Sequence, residues 1–112
     1  MNKKYSEAKP LAQALQADAN PYLNIYGNLF MAVIEELKHK NYPKAEALYK
    51  RALRSNDQYE MEQYHLEAYA YLGLGRIYQL KNEQEQARKF FKESLDKAYT
   101  EAMKKEAKSY LN

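Results

Sequence analysis

The chain has 112 residues, 46% of them hydrophobic, with 3 glycines, 3 prolines and no cysteine, so a fold of strands and tight turns, a disulfide framework and a thiolate metal site are all excluded at the outset. Ala, Leu, Lys, Glu and Gln, all good helix formers, dominate, which points to an all-α domain of about four to six helices around one core. Its 18 basic and 15 acidic residues are mixed along the chain for a net charge of +3, too even for the concentrated basic stripe that a nucleic-acid backbone requires.

Residues 1–9 read as a polar, frayed end, and Pro10 suits the first turn of a short helix with Leu11, Ala12, Ala14 and Leu15, which Asn20-Pro21 terminates. Asn20 then serves as N-cap and Pro21 as the first position of the next helix. There Tyr22, Ile25, Tyr26, Leu29, Phe30, Val33 and Leu37 recur at three- and four-residue steps as far as Lys40. Asn41-Tyr42-Pro43 reads as a turn, and the helix after it gathers Ala45, Leu48, Tyr49, Ala52 and Leu53 on one face.

Ser55 to Gln58 interrupt the period, and Asp57 with Glu60 resembles a capping box for a long helix from Gln58 to Lys81. Asn82 to Gln84 form the following turn. The next helix presents Ala87, Phe90, Phe91, Ser94, Leu95 and Ala98, and a break near Tyr99 separates it from a last helix with Ala102, Met103, Ala107, Tyr110 and Leu111.

Two stretches carry a more specific pattern. Tyr71-x-x-Leu74-Gly75-x-x-Tyr78, followed by Ala87-x-x-x-Phe91-x-x-Ser94-Leu95, resembles the tetratricopeptide repeat, a helix-turn-helix unit with an aromatic, Leu-Gly and Tyr on its first helix and Ala and Phe on its second. Gly75 and Ala87 stand where small residues of the two antiparallel helices face each other. Ala45-x-x-x-Tyr49-x-x-Ala52-Leu53 parallels the second-helix pattern, but Ala32, Val33 and Glu36 occupy the Leu, Gly and Tyr places of its first helix. The first unit thus looks like a divergent repeat.

The resemblance implies a short α-solenoid of antiparallel hairpins with five to six helices: an N-terminal segment and short helix over 1–20, a divergent repeat over 21–55, the better repeat over 58–99 and a capping helix over 100–112, all in one domain. Ala45 and Ala87 are 42 residues apart, against a family period of about 34. The excess of a little over two helical turns suits an extension over Gln58–Leu66, whose Tyr59, Met61 and Tyr64 either form a contact surface or pack on the N-terminal helix.

By the same resemblance the first helix of each unit lines a groove for a protein or peptide, which here implies Phe30 and Ile34, with Lys38, in the first unit and Tyr69, Leu72 and Arg76, with Gln79, in the second. Phe30 and Leu72 serve equally well as core residues. The lysines and asparagines with which one subgroup grips a C-terminal carboxylate are missing, since the matching places hold Phe30, Ile34, Gly73 and Arg76.

The expected function is therefore non-enzymatic protein binding, as an adaptor, chaperone or regulatory subunit. The alternative is self-association through the exposed ends of a short solenoid, which needs about three repeats and caps to bury its faces. A lesser alternative is a metal-binding bundle built on Glu36-Leu37-Lys38-His39 and Glu62-Gln63-Tyr64-His65. No catalytic arrangement stands out: no serine lies in a Gly-x-Ser-x-Gly turn, and Gly73-x-Gly75 falls within helical periodicity with no strand before it.

The 12 tyrosines mostly recur at helical spacing, as packing residues do. Lys97, Lys104, Lys105 and Lys108, interrupted by Glu101 and Glu106, read as a solvated helix face. No cofactor, metal, nucleic acid or membrane is expected. No apolar run follows Met1-Asn2-Lys3-Lys4 as in a signal peptide, and none approaches the roughly 20 residues of a membrane span, so the expected compartment is the cytoplasm.

Overall fold

Residues 2–58, 64–98 and 100–111 are described in the computed structural model, and they form helices α1 (Asn2–Gln16), α2 (Pro21–Leu37), α3 (Tyr42–Gln58), α4 (Tyr64–Leu80), α5 (Gln84–Lys97) and α6 (Glu101–Leu111), with no strand among them. They fall into two compact units, Met1–Met61 and Glu62–Asn112, where the sequence reads as one domain. Each unit holds three helices and is built differently.

In the first unit α2 lies between α1 and α3 and packs on both. Its start follows the expectation: the Asn20 side chain accepts a hydrogen bond from Tyr22 N at 2.9 Å, satisfying one of the amides that a helix start leaves unpaired, and Pro21 opens the first turn. The start of α1 does not. Helix begins at Asn2 and runs through Pro10, which is exposed. Proline removes one backbone donor there, and good helix formers on either side continue the helix.

The seat of α1 is Gly27. A Cβ built there would come within 2.8 Å of Leu15, and it would meet the α1 backbone at Gln16 as well, so only a glycine permits this approach. Three amides surround it. Gln16 Nε2 donates to Asn28 Oδ1 at 3.0 Å, Asn28 Nδ2 to Asn24 Oδ1 at 3.4 Å, and Asn24 Nδ2 to the Gln16 carbonyl at the end of α1.

The link from α2 to α3 corrects two expectations. Helix α2 stops at Leu37, short of Lys40, and Lys40 takes a left-handed conformation (φ 55°) that lets Asn41 N donate to Glu35 O at 2.8 Å. Tyr42 and Pro43 belong to the first turn of α3 and not to the loop, because Asn41 O already accepts from Ala45 N at 2.9 Å.

Helix α3 continues through Ser55–Gln58, where the sequence suggests a break. Buried Asn56 extends the stripe of Ala45, Tyr49 and Ala52 by one more turn, so packing outweighs the poor helix propensity of the segment. Asp57 is therefore within α3 and not at the start of the next helix; its side chain, Glu60, Tyr59 and Met61 lie outside the described residues, as does the start of the long helix expected from Gln58.

In the second unit α4 packs on α5 and α5 on α6. Helix α4 ends at Asn82 in the left-handed conformation (φ 61°), with Glu83 N bonded to Tyr78 O at 3.0 Å and Asn82 N to Gln79 O at 3.1 Å. These two bonds are those of a Schellman motif. The expected break between α5 and α6 is present: Ala98 is extended (ψ 135°), and Thr100 Oγ1 accepts from Met103 N at 3.2 Å as the cap of α6.

The backbone repeats at the interval read from the sequence. Lys40 and Asn82, the left-handed residues, and Tyr42 and Gln84, the starts of α3 and α5, are each separated by the 42 residues that separate Ala45 from Ala87.

Candidate partner-binding surface

The signature positions form the inside of each hairpin. In the second, Gly75 receives the ring of Phe91: a Cβ at residue 75 would lie 2.5 to 2.9 Å from three of its carbons. Leu72, Ala87 and Phe91 form one buried cluster, with Tyr78, Tyr110 and Leu111 packed against it, while Leu74 is buried on the same helix. Gly75 thus faces Phe91 one turn beyond the Ala87 that its spacing suggests. Tyr71 and Tyr78 both pack on Phe90, with ring centroids 6.1 and 5.0 Å apart, and Ser94 Oγ donates to Ala68 O across the hairpin at 2.7 Å.

In the first hairpin Ala45 and Tyr49 are fully buried, as Ala87 and Phe91 are in the second. Tyr49 there donates its hydroxyl to Glu36 Oε1 at 2.7 Å, and Glu36 is buried. The acidic residue in the place of a family tyrosine is accounted for by this bond.

A family model of the tetratricopeptide repeat matches residues 22–99. The chain belongs to that family. No curated protein and no solved structure matched it. Tetratricopeptide repeats are generally protein–protein interaction modules and typically non-enzymatic.

The five groove positions have different environments. Phe30 is 43% exposed and packs on Tyr26, ring centroids 6.0 Å apart, and Tyr69 is 40% exposed. Ile34 and Leu72, at 2% and 4%, are core residues. Ile34 lies on α2, which is packed on both α1 and α3, and Leu72 faces Ala87 and Phe91 of α5. Arg76 is half-buried, with Nη1 3.5 Å from Glu106 Oε2 on α6, and Gln79 is exposed.

The repeat's own geometry sorts the rest of the surface. The exposed large apolar residues of the described chain are Tyr22, Leu23, Phe30 and Leu37 on α2, Tyr69 and Leu80 on α4, and Leu11 on α1; α3, α5 and α6 contribute none. Sequence periodicity groups Tyr22, Phe30 and Leu37 with buried Ile25 and Leu29 as one face. The signal that separates them is that α2 is apolar nearly all round, more than a helix with one covered stripe requires.

Only the first of the two Glu-x-x-His motifs falls within the described side chains. Glu36 is engaged with Tyr49, His39 is exposed beyond the end of α2, and Glu62 and the His65 side chain lie outside the described residues. Among the described residues no three His, Asp or Glu side chains converge on a metal position. No described helix is long and apolar enough to cross a membrane.

Proposed function

We propose that this chain is a non-enzymatic adaptor that binds another protein through the first helices of its two repeats, α2 and α4. The observation that supports this most directly is that, among the described residues, the exposed large apolar side chains, Leu11 apart, lie on those two helices. Exposed aromatic and aliphatic residues gathered on one kind of element mark interaction surfaces, and buried aromatics supply most of the energy when such surfaces close. Phe30 and Tyr69 are the anchors in this reading. Arg76 lies between Tyr69 and Leu80 along α4, whereas Ile34 and Leu72 support the surface from within the core.

The test is capture of partners by the wild-type chain beside Phe30→Asp and Tyr69→Asp, each checked for an unchanged helical circular-dichroism signal. A protein retained by wild type and lost from either folded variant is the expected outcome. Equal retention by all three would overturn the assignment to α2 and α4.

A further inference from the structure

Apart from Tyr22, 50% exposed, the exposed large apolar residues of α2 fall on a regular spacing. Leu23, Tyr26, Phe30, Val33 and Leu37 follow one another at steps of three, four, three and four; Leu23, Phe30 and Leu37 are 41%, 43% and 43% exposed and the two between them are half-buried. A mean step of about 3.5 residues is the seam with which one helix meets another along its length. The seam covers two heptads, about 21 Å of helix. From this we infer that α2 is the seat of an amphipathic helix of a partner protein, a conclusion that rests on the adaptor reading and specifies its ligand.

Two considerations select the occupant. The five seam positions hold no charged or amide side chain, only the Tyr26 hydroxyl; Asn28, Glu35 and Glu36 are buried away from the seam, and Asn24 bonds to the end of α1. An extended peptide laid on it would bury backbone amides and carbonyls with nothing to bond them, whereas a helix arrives with its backbone bonds already made.

Area decides against a second copy of the chain. The exposed part of the stripe, with Tyr22 beside it, amounts to roughly 300–400 Å², comparable to the largest apolar patch of an ordinary monomer. A stable dimer uses about 800 Å² on each partner. The patch therefore suits one helix held reversibly. Lys38 and Lys40 at the C-terminal end of the seam favour acidic residues at the end of the incoming helix that meets them.

The experiment titrates the full chain with a fluorescent 18-residue synthetic peptide carrying leucines at alternating three- and four-residue steps on a Glu/Lys background, beside a peptide of the same composition with leucines at every second position. Binding of the first peptide with a rise in its helicity, at least tenfold weaker binding of the second, and at least tenfold weaker binding of the first by Phe30→Asp and by Leu37→Asp support the inference. Lys92→Glu, exposed on α5, leaves the affinity unchanged.

No binding, or equal affinity for both peptides, overturns it. So does sedimentation of the wild type as a dimer that Phe30→Asp dissolves, which would give the seam to a second copy. If the peptide fails while a captured partner is still lost from Phe30→Asp, the helical ligand is wrong and the adaptor function stands.

Discussion

The two hairpins, α2–α3 and α4–α5, close by different means on one backbone plan. The second uses shape: Gly75 leaves a hollow, Phe91 fills it, and Ser94 adds a bond to the Ala68 carbonyl. The first has Val33 at the matching place in the sequence, half-buried on the open side of α2, and is closed instead by a buried bond from Tyr49 to Glu36. The plan therefore does not depend on the signature residues as such. It requires that the closure of the hairpin be filled, and either a glycine with a phenyl ring or a phenol bonded to a carboxylate does so.

Breaking the shape lock should have the largest effect. Gly75→Val forces two methyl groups into the Phe91 ring and should cost the second unit roughly 3 kcal/mol by overpacking, read from urea denaturation followed by circular dichroism. Val33→Ala at the matching place should cost only about 1 kcal/mol. Comparable losses from both would mean that the hairpins share one lock.

Removing the polar lock comes next. Tyr49→Phe leaves the buried Glu36 carboxylate short of one donor and should cost about 2 kcal/mol. The double variant Tyr49→Phe/Glu36→Leu should recover part of that loss, because replacing both partners removes the unmet bond; a double variant no better than the single one would break the argument. Ser94→Ala should cost about 1 kcal/mol in the second hairpin.

The turns should respond in the opposite direction and least. Lys40 holds a left-handed conformation that disfavours side chains, so Lys40→Gly should stabilise the first unit by about 1 kcal/mol. Asn82→Gly should gain only a few tenths, asparagine being tolerant of that conformation. A gain at residue 82 equal to that at residue 40 would show that the two turns carry the same strain.

How much of this was legible depends on which physical rule each element obeys. The N-cap Asn20, the paired patterns at Ala45 and Ala87, the 42-residue interval and a break between α5 and α6 follow from local rules of capping and periodicity, and the structure reproduces them, the last at extended Ala98. Helix α3 beyond Ser55 was hidden because Asn56 is polar by letter but buried by position. Gly27 gave no signal in its own helix, since its reason lies on α1. The cap Thr100 could have been found from its type and place ahead of Glu101.

The groove was half legible. A resemblance implies which helix would line a binding surface, but whether Phe30 or Ile34 points outward depends on which neighbours that helix has, and a pattern of spacings within one helix does not contain them. The pairing of Arg76 with Glu106 is of the same kind, a contact across 30 residues between helices that have no local reason to meet.

The seat of α1 has a consequence for descent. Gly27 admits the α1 backbone, and Gln16, Asn24 and Asn28 interlock around it, so no one of the three amides can drift without stranding a partner. Among lineages that keep α1 docked, position 27 should stay glycine while 16, 24 and 28 change together or not at all. Lineages that lose the glycine should lose the amide set with it, leaving α2 to carry its sequence history without α1.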